Sequence, residues 1–220
     1  MEITYDIIRD HELVIQMIDC AEETMKVMGY TEHSHVHAGR VSASAARLMR
    51  DMGYGERDQE LARITGYLHD IGNAVNREMH AQTGAVMAFS ILKDLGMPPQ
   101  EIMTVVTSIG NHNEDEGYAV NPVSAAIILA DKADVRASRV RNMDVEHFDI
   151  HDRVNYAVHE SKIEVVEDKK VIQLTLSIDN SISSVMDYLE IFMMRMNMCK
   201  RAAAFLGYRF KLVINGAAIL

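Results

Sequence analysis

The chain has few of the features that define disulfide scaffolds, membrane proteins or secreted proteins. Its 220 residues include no tryptophan, three prolines and two cysteines, Cys20 and Cys199. The cysteines are far apart and form no CxxC pair, so reduced thiols are expected. No apolar run approaches the roughly 20 residues of a membrane span, and the N-terminal segment lacks a signal-peptide pattern. We therefore expect a cytoplasmic protein with no membrane partner.

Basic residues are also scarce. Lysine and arginine total 22 against 32 aspartates and glutamates, which gives a formal net charge of -10. An acidic surface argues against a nucleic-acid polymer as partner, because binding to its backbone needs a basic footprint. The charge does not exclude a small anionic substrate, since bound metal ions can supply local positive charge.

The scarcity of helix breakers favours helices, and the spacing of apolar residues places them. Apolar residues recur at intervals of three and four, the period of one face of a helix. Helices are predicted over residues 11–28, 31–52, 58–68, 76–95, 100–111 and 123–140, with a short one over 152–159. Glycines or prolines mark several of the boundaries.

The pattern changes in the last quarter of the chain. Residues 162–166 and 171–177 alternate apolar and polar side chains across a charged turn, which predicts a β-hairpin. Residues 182–206 return to a helical pattern, and residues 208–214 are predicted to add a third strand. We predict one domain over residues 1–220 and a mainly α fold. Its helical body spans about 11–160, and a small antiparallel sheet with the long helix spans about 161–220.

Two carboxylates stand next to strongly apolar segments. The pair His69-Asp70 interrupts the stretch 64–72, and Asp131 ends the run 125–130. A buried carboxylate costs several kcal/mol unless it is paired or coordinated. A hydrogen-bonded structural pair is one interpretation of His69-Asp70. The other is a metal site, because histidine and carboxylate are common ligands of Zn, Fe, Mn, Co and Ni.

Further histidines accompany these carboxylates. His37, His80 and His112 lie on or at the end of predicted helices, and each alone is readily explained as a surface or core histidine. On a helix, His33 would share a face with His37, four residues later, whereas His35 would point elsewhere and be exposed.

Taken in order, these residues resemble the HD-domain metal-dependent phosphohydrolase superfamily. The resemblance covers roughly residues 33–134 and lies in His37, the pair His69-Asp70 followed by Ile-Gly, and Asp131. His80-Ala-Gln-Thr-Gly84 resembles the His-x-x-x-Gly element of binuclear members. His112-Asn-Glu114 resembles their His-His-Glu element, with asparagine as its second residue. The loop 115–122 lacks a Gly-Tyr-Pro motif, which disfavours a cyclic-di-GMP phosphodiesterase.

The resemblance implies an HD-type helical bundle that binds a divalent transition metal, with two ions expected. One ion would be held by His37, His69, Asp70 and Asp131, and the other by Asp70, His80 and His112. Asp70 would then bridge the two. The ligand set does not distinguish Fe, Mn, Ni, Co and Zn.

The implied reaction is hydrolysis of a phosphate ester on a nucleotide or small metabolite by a metal-activated water. Asp70, His69 and Arg77 are the predicted catalytic residues, since Arg77 is suited to gripping phosphate. Candidate substrate contacts are His33, Asn73, Lys132 and Arg136. The structural alternatives are a solvated helix face or ion pairs for the cations and a cap on the chain turn for Asn73.

Two other functions fit the same residues. Some HD-domain proteins are di-iron oxygenases with a similar set of six ligands. A non-catalytic metal-binding signalling module is the other alternative, and its acidic surface and added sheet would serve a partner. We expect a small phosphorylated substrate, and the long helix over residues 182–206 is a candidate face for a homodimer.

Overall fold

The computed structural model describes residues 2–142 and 144–220. The chain is mainly α-helical with a small C-terminal sheet, which confirms the predicted fold class. The helices that precede the sheet are α1 (Tyr5–Arg9), α2 (Glu12–Val27), α3 (His35–Asp51), α4 (Glu56–Leu68), α5 (His80–Asp94), α6 (Pro99–Gly110), α7 (Pro122–Lys132) and α8 (Ile150–Ala157). Within the described ranges, no helix is both long and apolar enough to cross a membrane.

The C-terminal part contains a sheet and one long helix. In chain order its elements are β1 (Val158–Val166), β2 (Val171–Ile178), α9 (Val185–Phe205), β3 (Arg209–Ile214) and β4 (Ala217–Ala218). The predicted hairpin is confirmed as the antiparallel pair β1 and β2, with Ile163 opposite Leu174. The predicted third strand is confirmed as β3.

The direction of β3 corrects the expectation of a wholly antiparallel sheet. The strand order is β1-β2-β3-β4, and β2 pairs with β3 in parallel. Parallel neighbours require a crossover connection, and α9 provides it by carrying the chain back to the end where β2 begins. Alternation of apolar residues predicts that a strand exists but not its direction.

Two helix boundaries differ from the prediction in ways that affect the candidate site. The second helix begins at His35, after the N-cap Ser34, whose hydroxyl accepts the Val36 N–H. His33 therefore lies in the extended segment before α3 rather than on its face. The sixth helix ends at Lys132 and does not reach residue 140. The following segment leaves the helix because Arg139 fixes it through hydrogen bonds to the carbonyls of Glu32 and Asp134.

Helix α7 joins two layers of the core. Every residue from Val123 to Ala130 is buried. Ile127 packs with the apolar side chains of α1 to α6, whereas Ile128 and Leu129 pack with the sheet and α9. Such all-round burial explains the uninterrupted apolar run, and it places Asp131 at the inner end of α7.

Helices α3 and α4 pack closely because a glycine lies at their crossing. A Cβ atom on Gly66 would come within 2.7 Å of the Ser42 Cα. The Ser42 hydroxyl donates to the Arg63 carbonyl at 2.7 Å and ties the same two helices together. This contact brings His37 of α3 beside His69, which follows α4.

Candidate metal centre

The structure brings the six predicted metal ligands together at the ends of five helices. These ends are near one another because the helices pack around one core. His37 lies in the first turn of α3, and His80 begins α5. The others are His69 and Asp70 after α4, His112 after α6 and Asp131 in the last turn of α7.

Asp70 faces two separate groups of imidazole nitrogens. Its Oδ2 lies 3.6 Å from Nε2 of His37 and 3.3 Å from Nε2 of His69. Its Oδ1 lies 3.5 Å from Nε2 of His80 and 3.5 Å from Nε2 of His112. The carboxylate is therefore shared between the two predicted ligand sets.

Asp131 completes the first set. Its Oδ1 lies 3.4 Å from Nε2 of His37 and 3.7 Å from Nε2 of His69. Its Oδ2 is turned away from the histidines and lies 2.7 Å from the Lys132 ammonium. One oxygen of this carboxylate thus faces the imidazoles while the other is held by a buried cation.

Backbone carbonyls fix the orientation of three of these histidines. Nδ1 of His69 donates to Gly66 O at 2.8 Å, and Nδ1 of His112 donates to Ile109 O at 2.7 Å. Both carbonyls belong to the last turn of a helix, where they lack an intrahelical partner. Nδ1 of His80 donates to Arg77 O at 2.9 Å. Since a carbonyl only accepts, Nδ1 carries a proton in each ring, and Nε2 is the nitrogen that faces the centre.

His37 is held by a side chain instead. Its Nδ1 lies 2.8 Å from Oδ2 of Asp134, a buried carboxylate in the segment after α7. Arg40 and Arg136 donate to the other oxygen of Asp134 at 2.9 and 3.1 Å. Burial alone would raise the pKa of Asp134, but His37, Arg139 and Arg136 outweigh it and hold that pKa well below its usual range. Asp134 is therefore an anionic acceptor for His37.

Two observations indicate that the six candidate ligands are suited to bind metal ions. Nε2 of His37 and Nε2 of His69 are both buried, and neither has a hydrogen-bond partner among the residues described. Buried nitrogens without a partner are costly unless something else binds them. The ligand atoms of His37, His69 and Asp70, and those of Asp70, His80 and His112, also lie within 4.8 Å of one another. Two ligands of one ion at about 2.1 Å would lie roughly 3 to 3.5 Å apart.

The electrostatic environment differs between the two groups of histidines. Burial lowers the pKa of His80 to about 3, with Arg77 and His112 adding to the effect. For His69, burial acts in the same direction, but the carboxylates of Asp70 and Asp131 outweigh it and raise the pKa to about 10. The anionic side of the centre therefore favours positive charge, as a cation-binding site should.

A cavity of about 270 Å³ lies above this centre. Asp70, Asp131, His80 and His112 form part of its lining, and four cationic side chains share it: Arg77, Lys132, Arg139 and Arg195. Carboxylates Asp149 and Asp152 lie on the wall formed by the start of α8. The cavity thus has the two candidate ligand carboxylates on one side, and four cations and two further carboxylates elsewhere.

The predicted substrate contacts are placed differently by the structure. His33 and Lys132 line the cavity, as does Arg77, which was predicted to be catalytic. Asn73 is fully buried and accepts a hydrogen bond from Arg77 at 3.2 Å, so it supports that side chain from behind. Arg136 is not brought to the cavity, because its guanidinium binds Glu32 and Asp134 on another side of the segment after α7.

Several residues of the site had no assigned role in the sequence. Asp134 orients His37, and Glu114 lies 2.7 Å from the Lys132 ammonium. Arg139 and Arg195 line the cavity. A signal existed for Asp134 and Glu114, since each lies within three residues of a predicted ligand. No local signal in the sequence pointed to Arg195, because its partner Glu114 lies 81 positions away along the chain.

Comparison with known proteins agrees with the resemblance. The model of the HD domain family matches residues 35–153, which is more than half of the 220 residues. The chain belongs to the HD domain family. This superfamily consists in general of metal-dependent hydrolases, and the match includes all six predicted ligands.

Two relatives extend the comparison. The chain is 27% identical over 180 residues to the uncharacterized protein MJ1020 of Methanocaldococcus jannaschii. The alignment covers 70% of this chain and 67% of the relative. It is 28% identical over 122 residues to Ribonuclease Y of Oceanobacillus iheyensis. This alignment covers 54% of this chain and 21% of the relative. The match thus spans about a fifth of the length of Ribonuclease Y.

Proposed function

We propose that this HD-domain protein is a metal-dependent phosphohydrolase that acts on a nucleotide or another small phosphate ester. The observation that carries the proposal is the position of Asp70. One of its oxygens faces His37 and His69, the other faces His80 and His112, and the carboxylate lies at a cavity whose lining includes four cationic side chains. Two cations sharing one carboxylate beside an anion-binding cavity suit phosphoryl transfer.

His37, His69, Asp70 and Asp131 would hold one metal, and Asp70, His80 and His112 would hold the other. When bound, the metals would supply Lewis acidity that lowers the pKa of a bound water and neutralises phosphoryl oxygens. The chain's own contribution is to fix the ligands. The hydrogen bonds at Nδ1 hold each imidazole with its Nε2 lone pair directed inward.

Arg77 is the cation best placed to bind phosphate. It lies in no ion pair with any other described residue, and its guanidinium carbon lies 5.6 Å from the Tyr30 ring centroid. Asn73 and His80 contact one of its terminal nitrogens, NH1. The other terminal nitrogen has no hydrogen-bond partner in the described chain, so an anionic oxygen would satisfy both its charge and its geometry.

Lys132 would act beside the metals. Its ammonium lies 2.7 Å from Asp131 Oδ2 and 2.7 Å from Glu114 Oε2, and the side chain is only 5% exposed. An ammonium has three N–H donors, so one remains for a ligand in the cavity. We assign Lys132 to a phosphoryl oxygen and to the orientation of Asp131.

His33 would contact the substrate or the attacking water as a neutral base. Its Nδ1 donates to Thr31 O at 2.6 Å, and its Nε2 lies 3.9 Å from Asp70 Oδ2. Burial, aided by Arg139, holds the pKa of His33 well below its usual range. The inward nitrogen is therefore an acceptor, suited to a hydroxyl or water proton.

The size of the cavity favours a small substrate over a polymer. A volume of about 270 Å³ lies just below the roughly 300 to 1,000 Å³ of typical small-molecule sites. The net charge of -10 also opposes the backbone of a nucleic acid. The similarity to Ribonuclease Y is not taken as support for an RNA substrate, because the match covers 21% of that protein.

The test is a survey of activity with defined metals. Protein freed of metal and reloaded with Mn, Fe, Co, Ni or Zn is assayed for phosphate release from nucleotides and other phosphomonoesters, and for cleavage of phosphodiesters. We expect phosphate release from a small monoester, lost in Asp131→Ala but kept in Asp94→Ala, which removes an exposed aspartate at the end of α5. Two bound metals without any hydrolysis would contradict the proposal, as would substrate-dependent oxygen consumption.

A further inference from the structure

Helix α9 forms part of the cavity although it lies outside the residues matched by the family model. That match ends at residue 153, and α9 spans Val185–Phe205. Phe192 and Arg195, one turn apart on this helix, both line the cavity above the candidate metal centre. The C-terminal part therefore contributes side chains to the site that the shared family region does not contain.

One edge of the Arg195 guanidinium is fixed and the other is free. Its Nε donates to Glu114 Oε1 at 3.0 Å, and its central carbon lies 4.6 Å from the Phe192 ring centroid. Neither terminal nitrogen has a hydrogen-bond partner in residues 2–142 or 144–220. A guanidinium that is stacked and anchored on one side is preorganised to bind an anion with the other.

Arg195 is connected to the candidate metal ligands through Glu114 and Lys132, whereas Lys132 contacts Asp131 directly. Glu114 joins the two cations, since Oε1 binds Arg195 and Oε2 binds Lys132. Lys132 in turn contacts Asp131, the ligand of the first set. A phosphoryl group at the metals would therefore meet Lys132 first, and Arg195 would face what is attached to it.

The four cations of the cavity lining differ in how many of their donors are already bound. Apart from the candidate ligands Asp70 and Asp131, the lining carries these four cations and the carboxylates of Asp149 and Asp152, and Arg77 has no carboxylate partner within the described ranges. All three nitrogens of Arg139 already donate to the carbonyls of Glu32 and Asp134. Among the described residues, Arg195 has one carboxylate partner, Glu114, which it shares with Lys132, so it keeps part of its charge for a ligand.

We propose that Arg195 determines specificity by binding a second anionic group of the substrate. The preferred substrates are then phosphate esters that also carry a second phosphate or a carboxylate near the scissile phosphoryl group. The inference rests on the proposed function, because it assumes that the scissile phosphoryl group binds at the metals. It adds a role for α9 and a chemical class of substrate.

The experiment compares two small ligands on metal-loaded protein by calorimetry. Methylphosphonate carries one anionic group, and phosphonoacetate carries a carboxylate beside its phosphonate. We expect the wild-type protein to bind phosphonoacetate at least tenfold more tightly. Arg195→Gln should remove that preference and leave methylphosphonate binding within about twofold. Metal content, measured on the same samples, should be unchanged.

Two variants separate direct contact from a structural role. Arg201→Gln removes an exposed arginine of the same helix, stacked at 5.3 Å on Tyr118, and should keep the preference. Arg195→Lys keeps the positive charge and should retain part of the preference for phosphonoacetate. This variant also tests the proposal if Arg195→Gln does not fold. Equal weakening of both ligands in Arg195→Gln would overturn the proposal, since Arg195 would then act through Glu114 or on the phosphoryl group itself.

The outcomes also distinguish this inference from the proposed function. If metal-loaded wild-type protein binds methylphosphonate but shows no preference for phosphonoacetate, the role of Arg195 is wrong and the proposed function stands. If it binds neither ligand, the anion site at the metals is absent, and both proposals fail.

Discussion

Asp134 accepts the Nδ1 hydrogen of His37 at 2.8 Å, whereas the other three inner histidines donate to backbone carbonyls. His37 is thus the one predicted ligand in this set of four whose orientation depends on a side chain. That carboxylate also makes the ring more basic toward a metal. A substitution of Asp134 can therefore change the orientation of the His37 ring without altering His37 itself.

Asp134→Asn should weaken metal binding at the first site while leaving the second site intact. The amide keeps the shape of the side chain but loses the charge that the imidazole N–H faces. Loss of such an outer partner commonly costs about 10- to 100-fold in metal affinity. Competitive titration with a chelator measures both sites, and an equal loss at both would contradict the assignment of Asp134 to His37.

Asp70→Ala should remove both metals together. Each oxygen of Asp70 faces a different pair of histidines, so neither site keeps a full ligand set without it. His112→Ala should remove only the second metal. Metal analysis by mass spectrometry after dialysis gives the stoichiometry, and circular dichroism checks that the variants fold. Retention of full metal content by Asp70→Ala would rule out the bridge.

Three of the six candidate ligands could be predicted from a local pattern that they break, whereas His37, His80 and His112 were predicted only from the resemblance to the family. His69-Asp70 and Asp131 place charge in apolar segments, and a buried charge demands a partner. The hairpin was equally local, since alternation over a few residues predicts it. The direction of β3 depends on the path of α9, and the irregular segment after Lys132 depends on hydrogen bonds from Arg139 to Glu32. Those contacts join distant residues and leave no local pattern.

Arg77→Gln should weaken substrate binding more than Arg136→Gln. Arg77 lines the cavity, whereas Arg136 is bound to Glu32 and Asp134 away from it. Removing a charge-assisted contact to phosphate costs about 1.5 to 3 kcal/mol, or roughly 10- to 150-fold in KM. Steady-state kinetics on the best substrate of the survey measures this. A larger rise in KM for Arg136→Gln would show that the cavity contacts are misassigned.

Glu101→Gln should destabilise the protein at pH 7 and have less effect in acid. Arg57 donates to both oxygens of Glu101, at 2.8 and 2.5 Å, and this pairing lowers the pKa of the carboxyl below 4.5. Since the folded pKa is depressed, the stabilisation is fully present above the unfolded value of about 4.5. It is lost as the pH falls through the folded value.

Urea unfolding with a chelator present measures this difference at pH 7 and pH 3.5. For a partly exposed pair we expect about 1 kcal/mol between wild type and variant at pH 7, and a smaller gap at pH 3.5. A gap that grows in acid would reverse the sign and contradict the pairing. Metal stoichiometry at pH 7 should not change, because the pair joins α4 to α6 away from the centre.

Gly72→Ala should disrupt the second metal site through the backbone. A Cβ atom at Gly72 would lie 2.0 Å from the His80 carbonyl oxygen and 2.5 Å from the Gly84 nitrogen, so the start of α5 would have to move. Overpacking of this kind costs about 3 kcal/mol, and it would carry His80 away from Asp70. Gly39→Ala is the matched control, because nothing lies within 4 Å of its added Cβ in the second turn of α3. That substitution should stabilise the protein by about 0.5 to 1 kcal/mol. Thermal unfolding and metal analysis on both variants decide the matter, since two tightly held metals in Gly72→Ala would show that the close approach of α5 to Gly72 does not position His80.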